Sequence, residues 1–499
     1  MGLTNKALKG GALLAVARIA INLLQAAATI LVAWYLSPDD YGIAAIAMTV
    51  LLIVASLSEM QLGEALIQHK TADRSIVDTV WTMGMLRGVI LGAIVALLAR
   101  PVSQFYGDSR LYEVMLVVAL QPLISGFVNP RRFLQEREMI FRQEFIISLV
   151  QKFFSVAATI ALAIWLENYW ALIVGALIEV VLGLLISFAI LPYRPRFSMT
   201  GVKEIFGFSV WLTLGQFVNT INWRVEYLFI GKVLGLGSLG IYRFGSNLAQ
   251  LPTQELMAPV RKVTLSGFAS VLNNPDNDYD DSAICRAYQK AQAFSTALAL
   301  PVGVGFAMVA PTFAAALLAD SWQPAVIIMQ CLSAVFAFQT LGSLVQPLAM
   351  ARGETRLLFI RDLQMLVVRL PIILGALYIW ALPGIVAARV LTGAIAIAVN
   401  MFLIRRLIGL GVAAQLHANL RALVSVTVMA ASLWVLQQFL GAEADRVSLM
   451  LRLFAEIAVG AGVYVACSAV MWRLMHKPQG PEHELLRIFF VLKSRLKPA

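Results

Sequence analysis

Fourteen apolar stretches follow one another along the chain, separated by short breaks that carry charge, Gly or Pro. A transmembrane helix needs about 20 consecutive apolar residues to cross ~30 Å of hydrocarbon, and most of these runs meet that length. Their limits predict helices over 12–34, 41–65, 77–99, 111–130, 145–166, 169–191, 205–230, 238–260, 287–318, 323–349, 357–380, 383–404, 418–440 and 449–472. Composition supports lipid as the solvent. Hydrophobic residues make up 60% and charged residues 13% of the 499, whereas a soluble chain carries about 25% charged residues with which to cover its surface. Fourteen spans use about 300 residues, which leaves short loops and little room for a separate catalytic domain. Lys6 and Lys9 ahead of the first run resemble a signal peptide, but the run is long and further spans follow, so it reads as an uncleaved first helix.

Several chemistries lack their residues. Cys285, Cys331 and Cys467 are far apart and match no metal-ligand or disulfide spacing, and His69, His417, His476 and His483 all fall in segments between or beyond spans. His483-Glu484 lacks the second histidine of a zinc helix. Gly235 to Gly240 matches G-x-G-x-x-G, yet it lies between two spans and follows no strand, so it reads as a chance match in a turn. There is no Walker A sequence and no G-x-S-x-G elbow. No metal, cofactor, ATP-driven pumping or hydrolase chemistry is indicated.

The net charge of +11 is first a topology signal, not a sign of nucleic-acid binding. With a cytoplasmic N-terminus, the even-numbered loops and both tails hold 26 of the 39 Lys and Arg residues, and the opposite loops hold five. The positive-inside rule therefore places both termini in the cytoplasm. Eight basic residues remain inside the expected helices: Arg18, Arg87, Lys152, Arg224, Arg243, Lys290, Arg369 and Arg389. A charge at a helix centre costs about 2.5–3.5 kcal/mol on the insertion scale, so these are expected to face a water-filled interior. The intramembrane acids are Glu59, Glu64, Glu179, Glu226 and Glu255. The expected interior is net basic, as an anionic head group would require.

Polar residues recur at helical spacing on four helices: Arg18, Asn22, Gln25 and Thr29; Ser148, Lys152, Ser155 and Thr159; Thr213, Gln216, Thr220 and Arg224; Arg243, Asn247, Gln250 and Gln254. For the uncharged members, hydrogen-bonded glue between helices is the simpler reading. Glue does not require a full charge, so the cations call for another account.

An internal repeat accompanies the stripes. Leu36 and Tyr41-Gly42-Ile43 correspond to Leu234 and Leu239-Gly240-Ile241 at an offset of 198, and Gln121, Ser125 and Asn129-Pro130 echo Gln339, Ser343 and Gln346-Pro347 at 218 and 217. Six helices separate the copies, so the repeats run parallel about an axis along the membrane normal. The expected fold is an all-α polytopic membrane protein. It has an N-lobe over 1–197, a C-lobe over 198–410, two further helices over 411–474 and a cytoplasmic amphipathic tail over 475–499. The acidic run from Asn273 to Asp281 reads as a solvated linker; the tail pattern of Leu485, Leu486, Ile488, Phe489 and Phe490 with Arg487 and Lys493 suits the inner leaflet, a partner or packing.

The chain resembles the polysaccharide transporter (oligosaccharide flippase) family of the multidrug/oligosaccharidyl-lipid/polysaccharide exporter superfamily, and the colanic-acid-type exporters in particular. The resemblance rests on Leu36 to Gly42 (LSPDDYG), Leu62-Gly63 with Ala65 to Gln68, Leu134-Gln135 with Phe141-Arg142, Leu239 to Tyr242 with Leu251-Pro252, and Trp322 with Ala325, and it covers about residues 1–410. It implies an inner-membrane flippase that moves an undecaprenyl-diphosphate-linked oligosaccharide from the cytoplasmic to the periplasmic leaflet by alternating access of two lobes, for exopolysaccharide, capsule or O-antigen synthesis. Polysaccharide polymerase and export machinery are possible partners, as are membrane lipids; nucleic acid is not.

Arg and Lys in a cavity offer a diphosphate charge-assisted hydrogen bonds. The candidates are Arg18, Arg224 and Arg243, with Arg87 and Lys152 as further cations. Asn22, Gln25, Gln216, Asn219, Trp223, Asn247 and Gln250 suit sugar hydroxyls and ring faces. The related lipid II flippases also use a basic residue in the first helix, which favours Arg18. Glu59, Glu64, Glu226 or Glu255 would carry a coupling proton if desolvated; alternatively each pairs with a nearby Arg. Two other readings stand beside this one. A multidrug/cation antiporter of the same superfamily would want an acidic interior. An oligosaccharide polymerase or ligase usually has a large periplasmic loop, and here the longest, Arg100 to Leu111, is short.

Overall fold

The computed structural model describes residues 20–58, 73–200, 210–272, 281–440 and 445–475, apart from 23 and 139, together with 66 and 202. Among these residues the chain is helical, with no strand. Sixteen α-helices are used below, in chain order. In the first half they are α1 (Ala20–Val32), α2 (Pro38–Ser56), α3 (Arg74–Tyr106), α4 (Arg110–Val118), α5 (Leu120–Gly126), α6 (Arg131–Arg137), α7 (Phe141–Leu166), α8 (Trp170–Ile190) and α9 (Val210–Leu272). The second half holds α10 (Asp281–Leu317), α11 (Val326–Gln339), α12 (Val345–Ala351), α13 (Thr355–Ile408), α14 (Val412–Ala418), α15 (Leu420–Phe439) and α16 (Arg446–Leu474).

Ten helices among the described residues are long and apolar enough to cross a membrane. Two of them are hairpins read as one. In α9, Gly235 has φ 85° and ψ 167°, and in α13, Ala381 has φ 51° and ψ −135°, both outside helical values. A straight helix would separate residues 226 and 242 by about 24 Å. Instead, their side chains are hydrogen-bonded at 3.1 Å, so the chain reverses at Gly235. The reversal at Ala381 is shown by Gly384, whose Cβ would fall 2.2 Å from the carbonyl oxygen of Ala376. With both reversals counted, and with α1 and the α4–α5 pair, each expected span has a helix. The fourth span is broken at Ala119, where α4 gives way to α5.

The chain forms two compact units, Met1–Arg243 and Phe244–Ala499. In the first, α3 carries Gly84, Gly88 and Gly92 at intervals of four. A Cβ on Gly88 would stand 2.5 Å from the carbonyl oxygen of Pro122, and one on Gly92 2.9 Å from that of Ala119. Without side chains there, the backbones of α3, α4 and α5 come within van der Waals reach, which is how helices pack when lipid removes the hydrophobic drive between them. Beyond α8, Tyr193 Oη donates to Asp78 at 2.5 Å and the Ser198 amide donates to Thr82 Oγ1 at 3.1 Å, fastening this stretch to the start of α3.

The LSPDDYG segment is a helix start in which each polar residue has a separate partner. Ser37 caps α2 and Asp40 returns the bond to the Ser37 amide at 3.0 Å, with Pro38 at the first turn. Asp40 also accepts from the Tyr169 amide at 3.0 Å, and Asp39 pairs with Arg110 at 2.8 Å. In the second unit, Trp322 is fully buried, its ring 4.2 Å from that of Phe244. The last two helices dock on α10 through Leu300, Val304, Val426, Met429, Leu433 and Tyr464.

Candidate functional site

The reversal at Gly235 lays Tyr242 and Arg243 alongside Glu226 and Tyr227. Tyr242 Oη donates to Glu226 Oε1 at 3.1 Å, and Arg243 Nη1 donates to Tyr227 Oη at 3.1 Å. The Arg243 guanidinium carbon also stands 5.1 Å from the centroid of the Tyr227 ring, a cation–π arrangement. The two tyrosine rings meet edge to face at 5.9 Å. Glu226, Tyr227 and Tyr242 are buried, while Arg224 and Arg243 are partly exposed. The hairpin thus keeps its acid and its tyrosines inside protein and leaves both guanidinium groups partly exposed. Asn222 is buried beside them, Asn219 and Trp223 are half-buried, and Gln216 is exposed.

The other candidates are distributed differently. In α1, Asn22 is half-buried and its amide nitrogen has no hydrogen-bond partner among the described residues, while Gln25 is half-buried and its backbone carbonyl accepts from Thr29 at 2.8 Å. Arg87 reaches from α3 to the end of α2, donating to Ser58 Oγ at 3.2 Å and to the Ala55 carbonyl at 3.4 Å. Lys152 is engaged across α7 and α8, its Nζ 2.9 Å from Glu179 Oε2. Around it, Ser155 donates to the Gly175 carbonyl at 3.0 Å and Ser148 to Glu144 at 3.1 Å, so the α7 stripe makes bonds between and within helices. In the second unit, Asn247, Gln250 and Glu255 are half-buried on α9 beyond its reversal. Arg18, Glu59 and Glu64 lie outside the described residues, as do the tail and nearly all of the acidic run.

Sequence reasoning missed four participants. Tyr227 and Tyr242 lie off the polar stripes and are joined to them only by the reversal. In the second unit, Arg452, counted with the loop cations although the expected span 449–472 contains it, lies within α16 and pairs with Glu456 at 3.0 Å, an intramembrane acid absent from the five expected. Arg369 and Arg389, expected to face water, are buried, with Arg389 5.9 Å from the Phe336 ring centroid.

Residues 31–327 match the family model described as polysaccharide biosynthesis protein. The chain belongs to this family. Among relatives, the family member is similar to the lipopolysaccharide biosynthesis protein WzxC of Escherichia coli strain K12, with 21% identity over 372 residues, 72% of this chain and 73% of WzxC. Its fold is that of a solved structure of the lipid II flippase MurJ in an inward closed conformation, with a TM-score of 0.69 and 15% identity over 92% of this chain and 98% of that one. An inward-facing MATE-family multidrug resistance transporter shares the fold at a TM-score of 0.60 and 15% identity, over 79% of this chain and 98% of that one. The protein is therefore a multi-pass membrane protein of a polysaccharide biosynthesis family, built on a fold that flippases and multidrug transporters share.

Proposed function

We propose that the protein is a flippase. It translocates an undecaprenyl-diphosphate-linked oligosaccharide from the cytoplasmic to the periplasmic leaflet of a bacterial inner membrane, by alternating access of an N-lobe over 1–197 and a C-lobe over 198–410. Both termini are cytoplasmic. The observation that carries the reading is the pair Arg224 and Arg243, with Arg243 oriented by Tyr227 and the adjacent carboxylate of Glu226 engaged by Tyr242. Two partly exposed guanidinium groups, one on each arm of the same hairpin, suit a diphosphate, which accepts charge-assisted bonds from both. Arg18 and Arg87 are further phosphate contacts in this proposal. Asn22, Gln25, Gln216, Asn219, Trp223, Asn247 and Gln250 meet the sugar. The head group must cross about 30 Å of hydrocarbon while its lipid tail stays in the bilayer.

The family match and the likeness to WzxC support polysaccharide export, and the MurJ fold supports a lipid-linked cargo. A multidrug antiporter would use the same fold, but cationic drugs are repelled by the arginines of α9. The test is flipping of a fluorescent undecaprenyl-diphosphate-linked disaccharide by the purified protein in liposomes. Protein-dependent transfer between leaflets is the expected result, together with accumulation of cytoplasm-facing repeat units in cells lacking the protein. No transfer, or export of an unaltered amount of polymer without the protein, refutes the reading.

A further inference from the structure

The flippase reading leaves a buried carboxylate of the last long helix unused. Glu456 lies ten residues from the start of α16 and eighteen from its end, about 15 Å and 27 Å along the axis. It is fully buried. Its Oε1 accepts from Arg452 Nε on its own helix at 3.0 Å and from Thr312 Oγ1 on α10 at 3.0 Å. Its Oε2 is buried and has no hydrogen-bond partner among the described residues. Gly460, one turn further on, packs against Leu433 of α15, which brings Gln437 of the antiparallel α15 level with Glu456, and Gln437 Nε2 is turned to the Met308 carbonyl of α10 at 2.8 Å. Arg452 is thus the charged group facing the carboxylate among the described residues, while α10 presents Thr312 and α15 presents Leu433 and Gln437.

This asymmetry is informative. An ionised carboxylate accepts hydrogen bonds on both oxygens, and in the bilayer core no bulk water supplies a missing donor. One oxygen here has two donors and the other has none. A proton on Oε2 removes the unsatisfied charge and leaves both bonds to Oε1 in place. A staple between α16 and α10 would need only a neutral acceptor such as Gln, whereas an ionisable side chain inside a membrane helix is costly unless its charge is used.

We infer that Glu456 is a proton-binding site of the carrier, an inference that rests on the flippase reading for its role but not for its chemistry. The proton is taken from water on one side of the membrane, forms an O–H bond at Oε2, and is released to water on the other side; nothing is oxidised or reduced. The transmembrane proton gradient supplies the driving force.

Infrared difference titration of the full-length protein in lipid bilayers tests the site without any cargo. Acidification is expected to raise a carboxylic-acid C=O band in the wild type that is lost in Glu456→Gln and returns, shifted, in Glu456→Asp. Identical bands in wild type and Glu456→Gln overturn the inference. If Glu456→Gln does not yield folded protein, Thr312→Val decides: the band shifts if Glu456 is its source, and an unmoved band overturns the assignment. In the liposome assay, an imposed proton gradient is expected to accelerate flipping several-fold in the wild type and not at all in Glu456→Gln; acceleration retained in the variant overturns coupling through this residue. If the wild type flips no lipid-linked disaccharide, the flippase reading fails, and the infrared titration alone decides the proton site.

Discussion

Gly42 and Gly240 face each other where two helix starts cross, and each leaves room for the backbone of the other's hairpin. A Cβ on Gly240 would lie 1.7 Å from the carbonyl oxygen of Pro38, and a Cβ on Gly42 would lie 2.0 Å from that of Leu236. Pro38 and Leu236 are separated by 198 residues, as are Gly42 and Gly240. The contact therefore maps onto itself when the repeat copies are exchanged, as a local two-fold axis between the hairpins requires. Nearby, Tyr106 Oη donates to the Leu228 carbonyl at 2.9 Å and Lys232 Nζ donates to that of Phe105, so the end of α3 is bound to the same crossing.

Any side chain at either glycine forces the two backbones apart. Gly240→Ala is expected to destabilise the protein by about 1–3 kcal/mol, the usual cost of overpacking a closed contact, and Gly240→Val by more. Thermal unfolding of the purified protein in detergent measures this, and an unchanged midpoint in both variants would show that the crossing is not a tight contact.

In the proposed flippase, Arg243 supplies the charge for the cargo and Tyr227 orients it through a hydrogen bond at 3.1 Å. Arg243→Ala removes charge-assisted bonds of about 1.5–3 kcal/mol, roughly a tenfold to hundredfold loss of affinity. Tyr227→Phe removes the hydrogen bond that the Arg243 guanidinium donates to the phenol but retains the ring face; because that bond orients Arg243 and does not touch the cargo, a smaller weakening of about fivefold, ~1 kcal/mol, is expected. Titration of the fluorescent diphosphate-linked disaccharide into detergent-solubilised protein distinguishes the two, and wild-type affinity in Arg243→Ala would remove Arg243 from the site.

Lys152 and Glu179 offer the contrasting case of a cation already satisfied within the protein. The side chains are 16% and 32% exposed, so breaking the pair should cost less than a fully buried one, about 1–2 kcal/mol. Lys152→Met and Glu179→Met are each expected to lower the melting temperature, and the double variant to recover most of the loss. A double variant that is stable but binds the disaccharide several-fold more weakly would return Lys152 to the cargo site.

Asp108 lies in the turn between α3 and α4, where hydrogen bonds from Arg110 hold its carboxyl below the usual carboxylate range. Asp39 accepts from the same guanidinium at 2.8 Å. A carboxyl depressed in the folded state contributes stability above its unfolded value of about 3.9, and that contribution disappears as pH falls through the lower folded value. Asp108→Asn should therefore melt earlier than wild type at neutral pH, with the difference closing as pH drops below about 4. Parallel melting curves for the two proteins at every pH would contradict this.

The legibility of these features in the sequence follows the range of the interactions behind them. The LSPDDYG motif and its repeat partner could be recognised because a cap, a proline and a turn glycine act within a few residues of one another. Tyr227 escaped notice because an aromatic residue beside a polar stripe has no periodicity of its own, and its link to Arg243 spans sixteen residues through a reversal. Glu456 was missed for a related reason: it lies inside the span expected over 449–472 but on no polar stripe, and only the packing of α16 on α10 brings Thr312 to the carboxylate that Arg452 also meets.

By itself, the sequence determined that the chain is a series of lipid-solvated helices and where most of them break, because the apolar length of a span and the Gly, Pro and charge that end it are local quantities set by bilayer thickness and backbone sterics. It also determined the surplus of intramembrane cations over acids. The tertiary structure decided which of those charges are already paired. Lys152 finds Glu179 across a helix interface and Arg452 finds Glu456 on its own helix, while Arg243 is held by the phenol and ring face of a tyrosine. Charge pairing depends on distances of a few ångströms between residues far apart in the chain, and helical periodicity defines the face of a helix but not the neighbour packed against it.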